Sequence, residues 1–216
     1  MEFVNSDIDE IKHLRKYTTL PILLDILTRK KITFLKPNSW QDKNDVKVME
    51  HYQSLNKEKI VLASCFSYGP ESVYHWNSFS DGPAGCMLEF KFNKLMERLQ
   101  AYNNLLCGKV DYLWVDDVKN KKYNLNKLPF LKRYPYQCED EFRMLLFADK
   151  DMDSYEVDID FSCISSIKIS PNLPKTVADS VKKILKNIVN SPNIKVCQST
   201  LLENKKWIKY CSQVTK

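Results

Sequence analysis

Between residues 137 and 146 the chain reads Gln-Cys-Glu-Asp-Glu-Phe-Arg-Met-Leu-Leu, a run of ionisable and amide side chains that leads into an apolar one. Successive side chains of a strand alternate, so Gln137, Glu139, Glu141 and Arg143 take one face while Cys138, Phe142, Met144 and Leu146 take the other. Two carboxylates two residues apart on a strand stand about 7 Å from each other. That is close enough to raise one pKa, or for the pair to grip the hydroxyls of a sugar. A solvated strand face, on which Glu141 pairs with Arg143 at little gain in stability, meets the same spacing.

Other groups able to bind are scattered along the chain. Ser64 and Ser67 lie at the end of the run Ala63-Ser64-Cys65-Phe66-Ser67. Ser67 can orient a ligand or cap a helix starting near Pro70, and the cap is the simpler role. His75 and Trp76 follow, with Phe79 on the side of Trp76. An indole among such apolar neighbours is core more readily than ligand platform, and His75 has no Ser or Cys at a spacing that suggests a nucleophilic triad. Arg15-Lys16-Tyr17 precedes the first expected helix, where cations can meet a phosphate. From Lys119 to Tyr136 there are six cations, Lys119, Lys121, Lys122, Lys127, Lys132 and Arg133, and no acid, interleaved with Tyr123, Phe130, Tyr134 and Tyr136. Cations among aromatics suit a groove for RNA or single-stranded DNA, with Lys121, Lys122, Lys132 and Arg133 as its contacts. A solvated loop pinned to the core by its aromatic rings fits equally.

The elements that must position these groups are legible from periodicity. Thr19 and Pro21 open a helix over 20–30 with Leu20, Leu23, Leu24 and Leu27 at helical spacing, and 32–35 is a short strand before Pro37. A polar helix over 45–58 precedes a buried strand over 60–66, a short helix over 70–79 and a strand over 85–92. Residues 95–106 read as helix. Strands are expected over 110–115, 142–147, 155–159 and 164–169. Pro174 opens a helix with Val177, Val181, Ile184, Leu185 and Ile188 on one stripe, and 194–197 closes the chain's ordered pattern as a strand. Several strands adjoin without a helix between them, so the pattern predicts a single α+β domain over 1–216 with a mixed, mostly antiparallel sheet flanked by helices.

Composition narrows the class further. The 216 residues carry 33 Lys and Arg against 27 Asp and Glu, a formal charge of +6, and are 44% hydrophobic, which excludes a disordered or collagenous chain. Four Gly beside 11 Tyr, 10 Phe and 4 Trp disfavour glycine-cradled phosphate folds. The seven Cys are not spaced as zinc ribbons or redox pairs, so they read as reduced, mostly core thiols, and no metal is expected. No run is long enough for a membrane span and the N-terminus is acidic, which points to a cytoplasmic protein without a membrane partner.

With those residues in view, the chain resembles the prokaryotic domain-of-unknown-function family numbered 2971 over about residues 14–200. The likeness is carried by Lys16-Tyr17, "ITFLKPNSWQDKND" (32–45), "CFS" (65–67), Trp76, "GCMLEF" (85–90), "YQCEDEFR" (136–143) and "ISSIKIS" (164–170). Tyr136 replaces the family's Trp, and Gln41-Asp42-Lys43-Asn44-Asp45 replaces its Asn-Asp-Pro-Phe. A looser similarity is to the layout of ADP-ribosyltransferases. It implies a nucleotide-handling enzyme acting on NAD in toxin or phage-defence systems, with Glu141 as catalytic carboxylate and Glu139 deprotonating or orienting the acceptor. Ser67 would contact the nucleotide, Arg15 or Lys16 would clamp a phosphate, and Tyr17 or Trp76 would form a stacking wall, with Arg143 beside the substrate. The alternatives are a nucleic-acid-binding module and a regulatory domain without catalysis.

Overall fold

The computed structural model describes residues 1–5, 7–56, 59–119 and 121–214. In chain order the first half comprises β1 (Glu2–Phe3), β2 (His13–Thr19), α1 (Leu20–Arg29), β3 (Lys31–Leu35), α2 (Lys43–Leu55), β4 (Ile60–Ser67), α3 (Val73–Phe79) and β5 (Gly85–Lys91). The second comprises α4 (Phe92–Leu99), β6 (Leu105–Lys109), β7 (Asp111–Leu113), α5 (Val115–Lys119), β8 (Leu131–Arg133), β9 (Glu141–Ala148), β10 (Ser154–Asp158), β11 (Ile164–Ile169), α6 (Lys175–Val189), β12 (Lys195–Gln198) and α7 (Lys205–Cys211). Among the described residues no helix is long and apolar enough to cross a membrane.

Ten strands form one mixed sheet in the order β1-β6-β9-β4-β2-β5-β11-β12, with β3 joining β4 and carrying β10. Only β1 with β6 and β11 with β12 pair in parallel; the remaining ladders of this sheet are antiparallel, giving the expected α+β class. The join between the two halves of the sheet is thin. β2 meets β4 at the single pair Arg15 with Ser67, and β3 meets β4 at the single pair Leu35 with Ala63. Between those two points the edge of β4 is left open. A backbone hydrogen bond contributes about 1 kcal/mol net, whereas each fully buried Leu or Phe contributes about 1.5–3 kcal/mol. Packing of Leu14, Leu62, Phe66, Leu88 and Phe90, all buried in the larger core, therefore holds the halves together across the gap.

That larger core lies on one face of the sheet under α1, α4 and α6. A smaller one, with Met49, Tyr52, Val61, Ala63, Phe130 and Leu145, lies on the other face under α2. In α6 the buried stripe is Ala178, Leu185 and Val189, while Val177 and Ile184 face water, so the expected stripe is turned by about one residue. The helix expected over 95–106 ends at Leu99. Leu105, Leu106 and Cys107 are buried from both sides between β1 and β9, an environment that makes an apolar run a strand. Residues 13–19, read as a segment leading into α1, are a central strand. The expected helix over 45–58 spans Lys43–Leu55, and Glu58 lies outside the described residues.

Candidate functional site

The gap in the sheet opens into a cleft of about 700 Å³. Its walls come from β2, β3 and β4, from α3, from the turn at Ser39–Asp42 and from residues 132–143. Of the residues singled out in the sequence, Arg15, Lys16, Tyr17, Ser67, Lys132, Glu139, Glu141 and Arg143 all line it. Trp76, Lys121, Lys122 and Arg133 do not.

Glu139 and Glu141 reach the cleft by a different route from the one alternation predicts. Residues Tyr134–Glu139 form a 3-10 helix with Pro135 in its first turn, and Asp140 closes it in the left-handed region at φ 43°. The proline fixes its own φ and offers no N–H to a ladder, so the strand starts only at Glu141. Gln137 and Cys138 are exposed as a result, and Cys138 is not a core thiol. Cys211 is exposed too; Cys86, Cys107 and Cys163 are buried as expected.

Beneath the cleft floor lies Arg143, fully buried. Its five N–H donors are all engaged. Nε and Nη2 donate to Glu141 at 2.8 and 2.9 Å, Nη1 and Nη2 donate to Asp45 at 3.1 and 2.7 Å, and Nη1 also donates to the Pro129 carbonyl at 2.6 Å. The Trp40 ring covers the guanidinium at 4.6 Å. Arg143 is thus a scaffold for carboxylates and has no donor left for a substrate, which corrects its expected binding role. Lys132 sits beside it, its ammonium 2.5 Å from Glu139, 3.2 Å from Glu141 and 3.5 Å from Asp45. It faces inward, so it is not a contact for nucleic acid.

Three carboxylates thereby face two cations, and the two Glu titrate far apart. Burial pushes the Glu141 carboxyl up, but the charges of Arg143 and Lys132 outweigh it and hold the group at about 2. For Glu139, burial and, more weakly, the Glu141 charge win against Lys132 and raise it to about 7. One Glu139 oxygen is on Lys132, and the other has only the Tyr74 hydroxyl, at 3.5 Å. The solvated strand face is excluded, since Glu139 and Glu141 are both buried.

On the opposite wall the two neighbouring cations differ. Arg15 pairs with Glu89 at 3.0 Å and donates to the carbonyls of Tyr68 and Gly69. Gly69 is required there, because a Cβ would sit 1.9 Å from Asp140 Oδ2. Lys16 reaches across the split to Ser64 Oγ at 3.0 Å and to the Cys65 carbonyl at 3.4 Å. Among the described residues no carboxylate pairs with it, and burial pulls its pKa down. Ser67, also buried, has an Oγ without any hydrogen-bond partner. The expected cap role belongs instead to Ser72, whose hydroxyl accepts from the His75 amide. Trp76 is core: it packs edge-on against Tyr17 and donates to Glu71. Asp45, Trp40 and Tyr74 are cleft residues that sequence reasoning missed; only the Trp40–Asp45 stretch within the quoted 32–45 segment hinted at two of them.

The basic connection is ordered where it is described; Asn120 lies outside. Lys127 pairs with Asp111 and Lys132 with the cleft acids, leaving Lys119, Lys121, Lys122 and Arg133 exposed. Trp114, 56% exposed, stacks on Tyr134 at 4.4 Å, and Arg133 lies over Tyr136, which lines the cleft. Among the described residues no three His, Cys, Asp or Glu side chains are grouped to hold a metal.

No protein-family model matches the chain and no curated protein does, so membership of family 2971 has no support beyond the residues that suggest it. Solved structures do resemble it. Thermus sp. 2.9 DarT in complex with ADP-ribosylated ssDNA is similar at 13% identity and a TM-score of 0.45, over 88% of this chain and 95% of that one. The same protein in complex with NAD+ gives 14% identity and 0.44, over 88% and 96%. Thermosipho africanus DarTG in complex with ADP-ribose gives 13% and 0.37, over 87% and 50%. Likenesses this distant transfer no chemistry, which must come from the cleft itself.

Proposed function

We propose that the protein is an NAD-consuming enzyme of ADP-ribosyltransferase type and that the cleft is its active site. The observation that carries this reading is the enclosure, in one cleft, of an acid pair split in pKa and a lysine without an acid partner. Two neighbouring carboxyls driven apart in pKa are a pattern of acid–base division of labour. When the bond from C1′ of the ribose to nicotinamide breaks, its electron pair leaves with nicotinamide and positive charge grows on the sugar. Glu141, ionised throughout, supplies a fixed negative field to that charge, which the ground state lacks. The acceptor's lone pair then forms the new bond to C1′, and its proton passes to Glu139, poised near neutrality. Lys16 and the unpartnered Ser67 hydroxyl suit the diphosphate, and Tyr17, Tyr74 and Phe79 supply flat walls for the rings.

Nicotinamide release from NAD tests this. Wild-type protein is expected to release it, and Glu141→Gln to lose about a hundredfold or more in rate with NAD binding kept. No release with any acceptor, or equal release by the variant, overturns the reading.

A second reading has its own observation, the stack of the exposed Trp114 on Tyr134 in a stretch of chain that also exposes Lys119, Lys121, Lys122 and Arg133. Stacking plus outward cations is the surface by which a single-stranded nucleic acid would bind, with affinity falling steeply as salt rises. Binding that is absent or indifferent to salt removes it.

A further inference from the structure

One buried side chain outside the cleft lining touches both of its walls. His75 is 1% exposed; its Nε2 lies 2.8 Å from the Glu139 carbonyl and its Nδ1 2.6 Å from Ser72 Oγ. A carbonyl only accepts, so Nε2 carries the hydrogen and donates. Nδ1 is then the acceptor of the Ser72 hydroxyl, whose oxygen in turn accepts from the His75 amide at 3.2 Å. The contacts therefore place a hydrogen on Nε2 and are met by the neutral Nε2–H tautomer. The ring also stacks on Tyr17 at 5.1 Å and 8°. On the other side of Glu139, the Asp140 carbonyl accepts from the Tyr68 amide at 2.8 Å. Beyond Asp140, the Glu141 amide donates to the Tyr112 hydroxyl at 2.8 Å, so the Glu139 carbonyl is held by the imidazole while the two residues after it are held by the main chain following β4 and by Tyr112.

We infer that His75 is a positioning residue that keeps the Glu139 carboxylate on Lys132 at the cleft wall, an assignment that rests on the reading of Glu139 as proton acceptor. Without this donor the Glu139 carbonyl loses its side-chain hydrogen bond, and with the residue itself less firmly held its carboxylate can shift toward water. The charged and titratable groups facing His75 are Arg15, Tyr17, Tyr74 and Asp140; those facing Glu139 are Lys132, Glu141, Arg143 and Tyr74. Burial lowers the pKa of His75, which favours its neutral form.

The test pairs a direct titration with turnover. The Glu139 carboxyl, assigned by its loss in Glu139→Gln, is titrated by ¹³C NMR without ligand in wild type, His75→Phe and His75→Gln. His75→Phe keeps the ring on Tyr17 and loses the donor; His75→Gln keeps a donor. The wild-type midpoint is expected near about 7. His75→Phe should move it about one unit or more toward the ordinary Glu range, with kcat for NAD about tenfold lower and KM little changed, and His75→Gln should restore most of the midpoint. Should His75→Phe fail to fold, Ser72→Ala, which removes the hydroxyl that anchors the ring at Nδ1, is expected to give a smaller shift in the same direction. An unmoved midpoint in every folded variant, or equal shifts in His75→Phe and His75→Gln, overturns the assignment. A shifted carboxyl in a protein that never cleaves NAD overturns the proposed function and leaves His75 its place.

Discussion

Two groups of acids, one half-buried and one buried, lie on the two sides of the split in the sheet, and they behave oppositely. On the β2–β5–β11 side, Glu89 has Arg15 and the hydroxyls of Ser165 and Ser166, and Glu71 has Lys168, Ser199 and the Trp76 indole. Burial raises both carboxyls, but these partners more than offset it and leave both below the ordinary range. On the cleft side, Asp45, Glu139 and Glu141 share only Lys132 and Arg143, and one acid is left titrating near neutrality. Both sets are desolvated, so the distinction lies in the ratio of acids to cations and in the open volume beside the uncompensated one. An acid fully matched by cations stays ionised and fixed in place, as Glu141, Glu71 and Glu89 do, whereas an acid that shares its cation with others beside a cleft is poised to take up and release a proton.

Breaking a pair on each side sharpens the contrast most. Arg143→Met strips four hydrogen bonds from buried carboxylates and a fifth from the Pro129 carbonyl, and is expected to cost about 3–5 kcal/mol in urea unfolding. Lys168→Met, at a half-buried pair whose acid keeps Ser199 and the Trp76 indole, is expected to cost about 1 kcal/mol. Equal losses would break the comparison.

Next comes pH. The folded-state pKa of Glu139 is above its ordinary 4.5, so between 4.5 and about 7 the folded protein holds a proton that the unfolded chain has released. Stability therefore falls as pH rises through that window. Glu141, Glu71 and Glu89 are shifted down, and their contributions are lost only as pH falls below 4.5. His75, whose pKa burial lowers, adds an opposing rise below 6.5, so the Glu139 contribution is read as a difference: in thermal melts from pH 5 to 8 the stability of wild type relative to Glu139→Gln should decline, and the same decline should persist in a Glu71→Gln background.

Lys16→Met separates binding from folding. Removing a buried ammonium that has no acid partner should leave Tm unchanged or raise it, while weakening NAD binding about tenfold by calorimetry. A lower Tm with unchanged affinity would make Lys16 structural. The smallest effect is on the outer surface. Arg133→Gln should reduce the salt slope of single-strand binding by about one phosphate contact.

Much of this fold was legible, and the failures have local causes. β4 and β9 show as apolar runs because the sheet buries them on both faces, β11 shows by its spaced Ile residues, and α1 shows its leucine spacing. β6 was hidden because Leu105-Leu106-Cys107 suits helix as well as strand, and only pairing with β9 decides between them. Glu139 and Glu141 were found by a strand alternation that does not exist before Glu141; Pro135 and the left-handed Asp140 bring them together instead. Lys132 was read as a surface cation because its neighbours are cations, and its three acid partners are visible only in space. Asp45 lies 98 residues from Arg143, a separation across which spacing carries no signal.

The central claim meets its most direct test in the pH dependence of NAD cleavage. Nicotinamide release by wild-type protein should climb as Glu139 ionises around pH 7 and then level off, while Glu139→Gln stays low and flat across the same range. Wild-type protein that releases nothing from pH 5 to 9, or a Glu139→Gln profile that overlays the wild type, would contradict the account.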